Sequence, residues 1–200
     1  MSSRTYKASL QTKNKILLKA VELFNESGTA SVSMNALAES LGISAGNLQY
    51  HYRSKEDVIR AIYEVMIADW QLIYTGMDES FNIEKLRALL KKNFDLTWKY
   101  RFFYREYAAL LRNDLQLSKR FREVQKQRLA EQESLINLMA SAGRVRSVDP
   151  KEIKNVVLIG WMLGNTWLSY AESTGRKMNK SALDEAIEMM IVHYQRYLLR

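Results

Sequence analysis

The chain reads as all-α, with a small three-helix N-terminal part over residues 1–57 and a larger helical part over residues 58–200. Three observations predict this. A single proline, Pro150, and only 8 glycines in 200 residues favour long uninterrupted helices over a turn-rich β architecture. Apolar residues recur at helical spacing along most of the chain. The stretch Ser33–Lys55, SMNALAESLGISAGNLQYHYRSK, holds two short helical patterns hinged at one glycine. Two hundred residues can bury a full core.

The first helix spans about Lys7 to Ser27, with Ile16, Leu17, Ala20, Val21, Leu23 and Phe24 as its apolar stripe, and Gly28 ends it. Ser33 caps the second helix, whose Ala36, Leu37 and Leu41 make one apolar face. Gly42 supplies the turn: a sharp bend needs a residue that tolerates positive φ, here set between the anchors Leu41 and Ile43. Ser44 caps a third helix, Ala45 to about Tyr52. Leu48 is its only strong apolar residue, while Asn47, Gln49, Tyr50, His51 and Tyr52 carry hydrogen-bonding groups. A helix so poor in core residues must use its surface. In helix-turn-helix proteins the second helix lies in the DNA major groove with its N-terminal residues at base edges.

Ser54 caps the fourth helix, and Glu56 and Asp57 suit the positive end of its dipole. Val58, Ile62, Val65, Met66, Trp70 and Ile73 carry it to about Tyr74, before Gly76, and it forms the covalent bridge between the two parts. Helices over Ile83–Trp98 and Phe102–Arg112 follow, with Phe94, Trp98, Tyr100, Phe102, Phe103, Tyr104 and Tyr107 crowded together. A longer helix runs from about Leu117 to Ala142, closed by Gly143. Pro150, behind the cap Asp149, starts a helix to about Ser173 that Gly175 ends, and the last helix spans Ser181 to Leu199.

The net charge of +8 suits a polyanionic partner, and its distribution matters more than its size. Arg4, Lys7, Lys13, Lys15 and Lys19 stand near the N-terminus with no acid among the first 20 residues, next to the helix-turn-helix. That adjacency favours phosphate contact over a merely solvated face. No cysteine is present, which excludes a disulfide framework and thiolate chemistry and fits a reducing cytoplasm. The uncharged stretch Asn155–Tyr170 is too short and polar to span a bilayer, so no membrane role is expected. An enzyme is not expected either. His51 and His193 belong to different parts, no histidine and carboxylate cluster has metal spacing, and there is no phosphate loop or nucleophile elbow. Neither metal nor cofactor is called for.

The run Met34–Glu56, with its Ala-rich first helix, LGIS turn, GNLxYHY recognition helix and SKE opening the next, resembles the TetR (tetracycline-repressor-like) family of bacterial regulators. The resemblance is close over about residues 10–60; beyond them it is one of layout. Gln49 departs from it, an amide where the family's LYYHF-type motif has a tyrosine that typically touches a phosphate. The partner so implied is double-stranded operator DNA. Asn47 has the side chain to pair bidentately with adenine, Ala45 is small enough to meet a thymine methyl, and Gly46 keeps the backbone near the groove. Asn35 matches a family position at bases or phosphate, or is an ordinary exposed residue. Ser33, Ser44, Tyr50, His51 and Lys55 can donate to phosphate oxygens; His51 alternatively serves the helix C-terminus.

In the larger part, Met66, Trp70, Tyr74, Phe94, Trp98, Phe102, Phe103, Tyr107, Met139, Trp161, Met162 and Asn165 supply an apolar lining with a few polar tips, suited to a small apolar or aromatic effector or to an ordinary core. Ile153, Val156, Val157, Gly160, Gly164, Trp167, Leu168 and Ala171 form one stripe. Leu183, Ala186, Ile187, Met190, Ile191, Tyr194, Tyr197 and Leu198 form another. These could close a monomer core; the resemblance implies instead a homodimer through the last two helices as a four-helix bundle, with Gly160 and Gly164 allowing close approach. It further implies a repressor in which the effector shifts helix four. A DNA-binding scaffold that recruits a protein partner, for instance on the basic Arg112–Arg128 segment, is the competing expectation.

Overall fold

The computed structural model describes residues 3–74, 82–146, 149–177, 179 and 182–199, with side chains from residue 9 onward except that of Tyr74. Nine helices are present among the described residues: α1 (Ser3–Ser31), α2 (Met34–Ser40), α3 (Ala45–His51), α4 (Lys55–Tyr74), α5 (Ile83–Lys99), α6 (Arg101–Asn113), α7 (Leu115–Ser141), α8 (Pro150–Ser173) and α9 (Ala182–Gln195). The expected helix end at Gly76 and cap at Ser181 lie outside the described residues, as do the side chains of Arg4 and Lys7. None of the described helices is long and apolar enough to cross a membrane. The chain forms two compact units, Met1–Ala68 and Asp69–Arg200.

In the first unit Ile16, Ala20 and Phe24 of α1, Leu37 of α2, Leu48 of α3 and Val58 and Ile62 of α4 are buried. Gly28 interrupts α1 with φ 76°, and one further turn reaches Ser31. Gly42, at φ 65°, lets the chain leave α2 by a paired closure: its N–H donates to the Glu39 carbonyl at 3.0 Å and that of Ile43 to the Ala38 carbonyl at 3.1 Å. Ser54 and Asp57 cap α4 reciprocally, since Ser54 Oγ accepts from the Asp57 N–H at 3.2 Å and Asp57 Oδ2 from the Arg53 N–H at 3.1 Å. Val58, Ile59, Ile62, Tyr63 and Met66 are buried in this unit, which is why its packing extends past residue 57.

In the second unit α9 packs on α5 and α8, while α6, α7 and α8 pack on one another. Asp114 starts α7 two residues earlier than the apolar pattern predicts, because its Oδ1 accepts the N–H groups of Gln116 and Leu117 at 2.9 and 3.0 Å. At the other end of the unit α9 stops at Gln195 and not at Leu199. Beyond it the backbone finds other partners: the Arg146 N–H donates to the Tyr197 carbonyl at 2.8 Å and the Leu199 N–H to the Arg144 carbonyl at 2.9 Å. The result is a short antiparallel bridge between Val145 and Leu198, with the Arg146 guanidinium 4.7 Å from the Tyr197 ring centre.

The apolar stripes of α8 and α9 require a correction. Ile153, Val156, Val157, Gly160, Trp167, Leu168 and Ala171 of α8, with Leu183, Ala186, Ile187, Met190 and Ile191 of α9, are buried within a single chain and close the unit's own core. Gly160 serves this packing, since a Cβ there would overlap the Tyr194 hydroxyl, whereas a Cβ on Gly164 would meet nothing within 4 Å. A different stripe remains exposed: Leu158, Ile159, Met162 and Tyr170 on α8, Met189 and Val192 on α9.

Candidate functional site

Two features stand out, a bared helix in the first unit and a cavity in the second. Leu48 is the sole buried residue of α3, fully enclosed, so the rest of the short helix is outward: Ala45, Gly46, Asn47, Gln49 and Tyr50 are all exposed. The caps hold this presentation. Ser33 Oγ accepts from the Ala36 N–H and Ser44 Oγ from the Asn47 N–H, each at 3.1 Å, which leaves each hydroxyl proton able to donate outward. Asn35 is exposed on the first turn of α2. A Cβ on Gly46 would meet nothing within 4 Å, so only close approach from outside makes use of a glycine there.

His51 is half-buried, with its ring edge-on to Tyr50 at 5.2 Å between centres. Its Nδ1 is buried and lacks a hydrogen-bond partner among the described residues. Burial, and secondarily the Lys13 charge, hold its pKa below the ordinary 6.5, so the ring is neutral at pH 7. Lys13 and Lys15 are exposed, whereas Lys19 pairs with Glu22 at 2.7 Å. Lys55 differs from the expectation of a surface phosphate clamp: its Nζ donates to the carbonyls of Thr29 at 2.6 Å and Val32 at 3.2 Å, tying the N-terminus of α4 to the end of α1. One of its three protons is left.

The cavity lies within the second unit and measures about 160 Å³. Of the residues expected to line it, Trp70, Phe94, Met139, Trp161 and Asn165 do. Met66 is instead fully buried in the first unit, and the Tyr74 side chain is outside those described. Phe102 and Phe103 belong to the solid core, where Phe103 meets Phe121 at 6.2 Å. Tyr107 stacks on Phe121, Trp98 lies under the Arg101 guanidinium, and Met162 is half exposed on the outer stripe of α8.

Sequence reasoning missed several wall residues. Arg128, Gln132, Leu135 and Ile136 of α7, and Met190 and Tyr194 of α9 all line the cavity, beside Tyr104 of the aromatic cluster. A signal existed on α7: Arg128, Gln132, Leu135 and Met139 fall at i, i+4, i+7 and i+11, one face with polar residues at one end. Arg128 lies over Trp70, with its guanidinium carbon 3.8 Å from the ring centre. Trp161 Nε1 donates to Gln125 Oε1 at 2.7 Å, and Asn165 Nδ2 donates to the Trp161 carbonyl at 2.7 Å.

A capped, glycine-hinged helix pair with an outward second helix, on a chain whose other unit is helical and hollow, defines the two-unit helix-turn-helix class. Residues 16–62 match the family described as bacterial regulatory proteins of the tetR family, and residues 69–198 match the one described as bacterial transcriptional repressor, TetR. The chain belongs to the TetR family. It is 27% identical over 93 residues to the HTH-type transcriptional regulator AcrR of Shigella flexneri, covering 45% of this chain and 43% of that one. To the HTH-type transcriptional regulator UidR of Escherichia coli it is 47% identical over 51 residues, 26% of each chain. It thus spans less than half the length of these curated relatives. A TetR-family transcriptional regulator from Marinobacter aquaeolei VT8 superposes with a TM-score of 0.83 at 28% identity, covering 94% of this chain and 91% of that one.

Proposed function

We propose that the chain is a homodimeric, sequence-specific DNA-binding transcription regulator, a repressor released by a small apolar or aromatic effector. The observation that carries the reading is α3, a helix capped by Ser44 with Leu48 as its one buried residue and Ala45, Gly46, Asn47, Gln49 and Tyr50 all exposed. Residues 1–57 read operator DNA: Asn47, with Ala45 and Gly46 beside it, meets base edges, and Ser33, Asn35, Ser44, Gln49, Tyr50 and His51 meet the backbone. Residues 58–200 take the effector and pair with a second copy. The exposed stripe of Leu158, Ile159, Met162, Tyr170, Met189 and Val192 is the pairing face, because large apolar side chains bared on two helices that pack together mark an interaction surface.

The cavity favours an effector over a scaffold that recruits a protein, since a scaffold needs no hollow core. Its wall includes Trp70 near the end of α4, and α4 begins immediately after the recognition helix. A ligand that prefers one position of Trp70 therefore biases α4, and two half-sites about 34 to 36 Å apart tolerate little change in recognition-helix spacing. The test is selection of binding sites from random duplexes, followed by release of the selected duplex with hydrophobic small molecules. Failure to enrich any sequence would refute the regulator reading.

A further inference from the structure

The cavity wall carries a charge asymmetry. Among its lining residues are two arginines and neither aspartate nor glutamate. Arg146 is already balanced, since its guanidinium donates to Glu152 at 2.6 Å and lies over Tyr197. Arg128 is not: its contact is the face of Trp70, and no carboxylate of the described residues pairs with it. A half-buried guanidinium facing an apolar wall retains five N–H donors in a planar fork, and a ring face satisfies none of them as a carboxylate would.

We propose that the cavity binds a hydrophobic monocarboxylate, with its body against the aromatic and aliphatic wall and its carboxylate on Arg128. The proposal rests on reading this cavity as the effector site and names the class of effector. Size follows from the volume: about 160 Å³ is close to the 150 Å³ of an apolar cavity that holds benzene, so one ring or a short chain plus a carboxylate, about ten non-hydrogen atoms, fits. Charge follows from the count of one unbalanced guanidinium. A neutral ligand leaves it unpaired, a dianion brings excess charge into an apolar wall, and a cation is repelled. Gln132, one turn further along the same face of α7, adds amide donors beside the fork.

The experiment uses the intact protein and two matched series: 3-phenylpropionate, 3-phenylpropanol and 3-phenylpropylamine, and octanoate, octanol and octylamine. Affinities are read by calorimetry and by tryptophan fluorescence. In at least one series the acid should bind about 10- to 100-fold more tightly than the alcohol, and the amine most weakly. Arg128→Met should abolish that preference while leaving the alcohol's affinity intact, Arg128→Lys should retain part of it, and Arg120→Gln, on α7 but outside the cavity wall, should leave it almost unchanged. Wild-type helicity by circular dichroism qualifies each variant, with Arg128→Gln as the substitute if the methionine variant does not fold. Alcohol binding as tight as acid binding, or a preference that survives loss of Arg128, would overturn the anionic assignment and leave the effector reading standing. If no compound of either series binds at millimolar concentration, the effector reading falls and this inference with it.

Discussion

Asn47 and Lys55 stand on opposite sides of a distinction between the proposed role of touching DNA and that of holding the surface that would touch it. Asn47 has an exposed side chain, so Asn47→Ala should cost about 1 to 3 kcal/mol at one operator position and relax preference there, as read by competition binding with mutated duplexes. Lys55 bonds two carbonyls at the end of α1. Lys55→Ala should therefore lower unfolding free energy by about 1 kcal/mol in urea titrations as well as weaken binding to every sequence. An unchanged urea midpoint would return Lys55 to the role of pure phosphate ligand. For His51 the sign runs through its depressed pKa. Its neutral form belongs to the folded state, so the stability it contributes is complete above 6.5 and is lost as pH falls below that value. A phosphate beside the ring would favour the cation. Operator affinity should then strengthen between pH 7 and 5.5 in wild type, after correction for stability, and not in His51→Gln.

Helix ends were legible from sequence wherever a side chain or glycine determines them locally, as at Ser33, Gly42, Ser44, Ser54, Asp149, Gly143 and Gly175. Faces were harder. An apolar stripe states that something covers it, without saying whether the cover is the same chain, and both stripes of α8 and α9 turned out to be covered from within. The proposed pairing face could not be told apart in sequence, because Leu158, Met162 and Val192 stand directly beside the buried Val157, the wall residue Trp161 and the buried Ile191 in one unbroken apolar run on each helix. Cavity and core were equally inseparable: Phe94 and Phe103 are alike in sequence, yet one lines a void and the other is packed in solid core. The two helix glycines give a direct check. Gly160→Ala must displace Tyr194 and should destabilise by about 1 to 3 kcal/mol. Gly164→Ala has open space around it and should stabilise by about 0.5 to 1 kcal/mol while narrowing the cavity, both measured by chemical denaturation.

At the scale of the whole molecule, assembly and signalling become thermodynamic statements. Met162→Glu combined with Val192→Glu would bury charge in the proposed pairing face, and sedimentation should then report monomers at concentrations where the wild type is dimeric. Operator affinity should fall with it, because one half-site recovers only a fraction of the phosphate contacts. A wild type that sediments as a monomer at micromolar concentration would contradict the assembly. Reciprocity supplies the other check: operator DNA must weaken effector binding by the same factor by which effector weakens operator binding. Trp70, against Arg128 on the cavity wall, gives the optical readout, and Trp70→Phe should reduce that coupling more than it reduces DNA affinity alone.

The short bridge between Val145 and Leu198 bears on how fast a ligand leaves the cavity. Val145, Arg146, Tyr197 and Leu198 all belong to the cavity wall, so the segment that follows α9 acts as a stopper held by two main-chain hydrogen bonds and a guanidinium over the Tyr197 ring. Ligand dissociation should be faster in a Tyr197→Ala variant, which removes the ring beneath Arg146, than in wild type, with operator affinity in the absence of ligand the same. Stopped-flow release of a bound fluorescent acid would measure the difference.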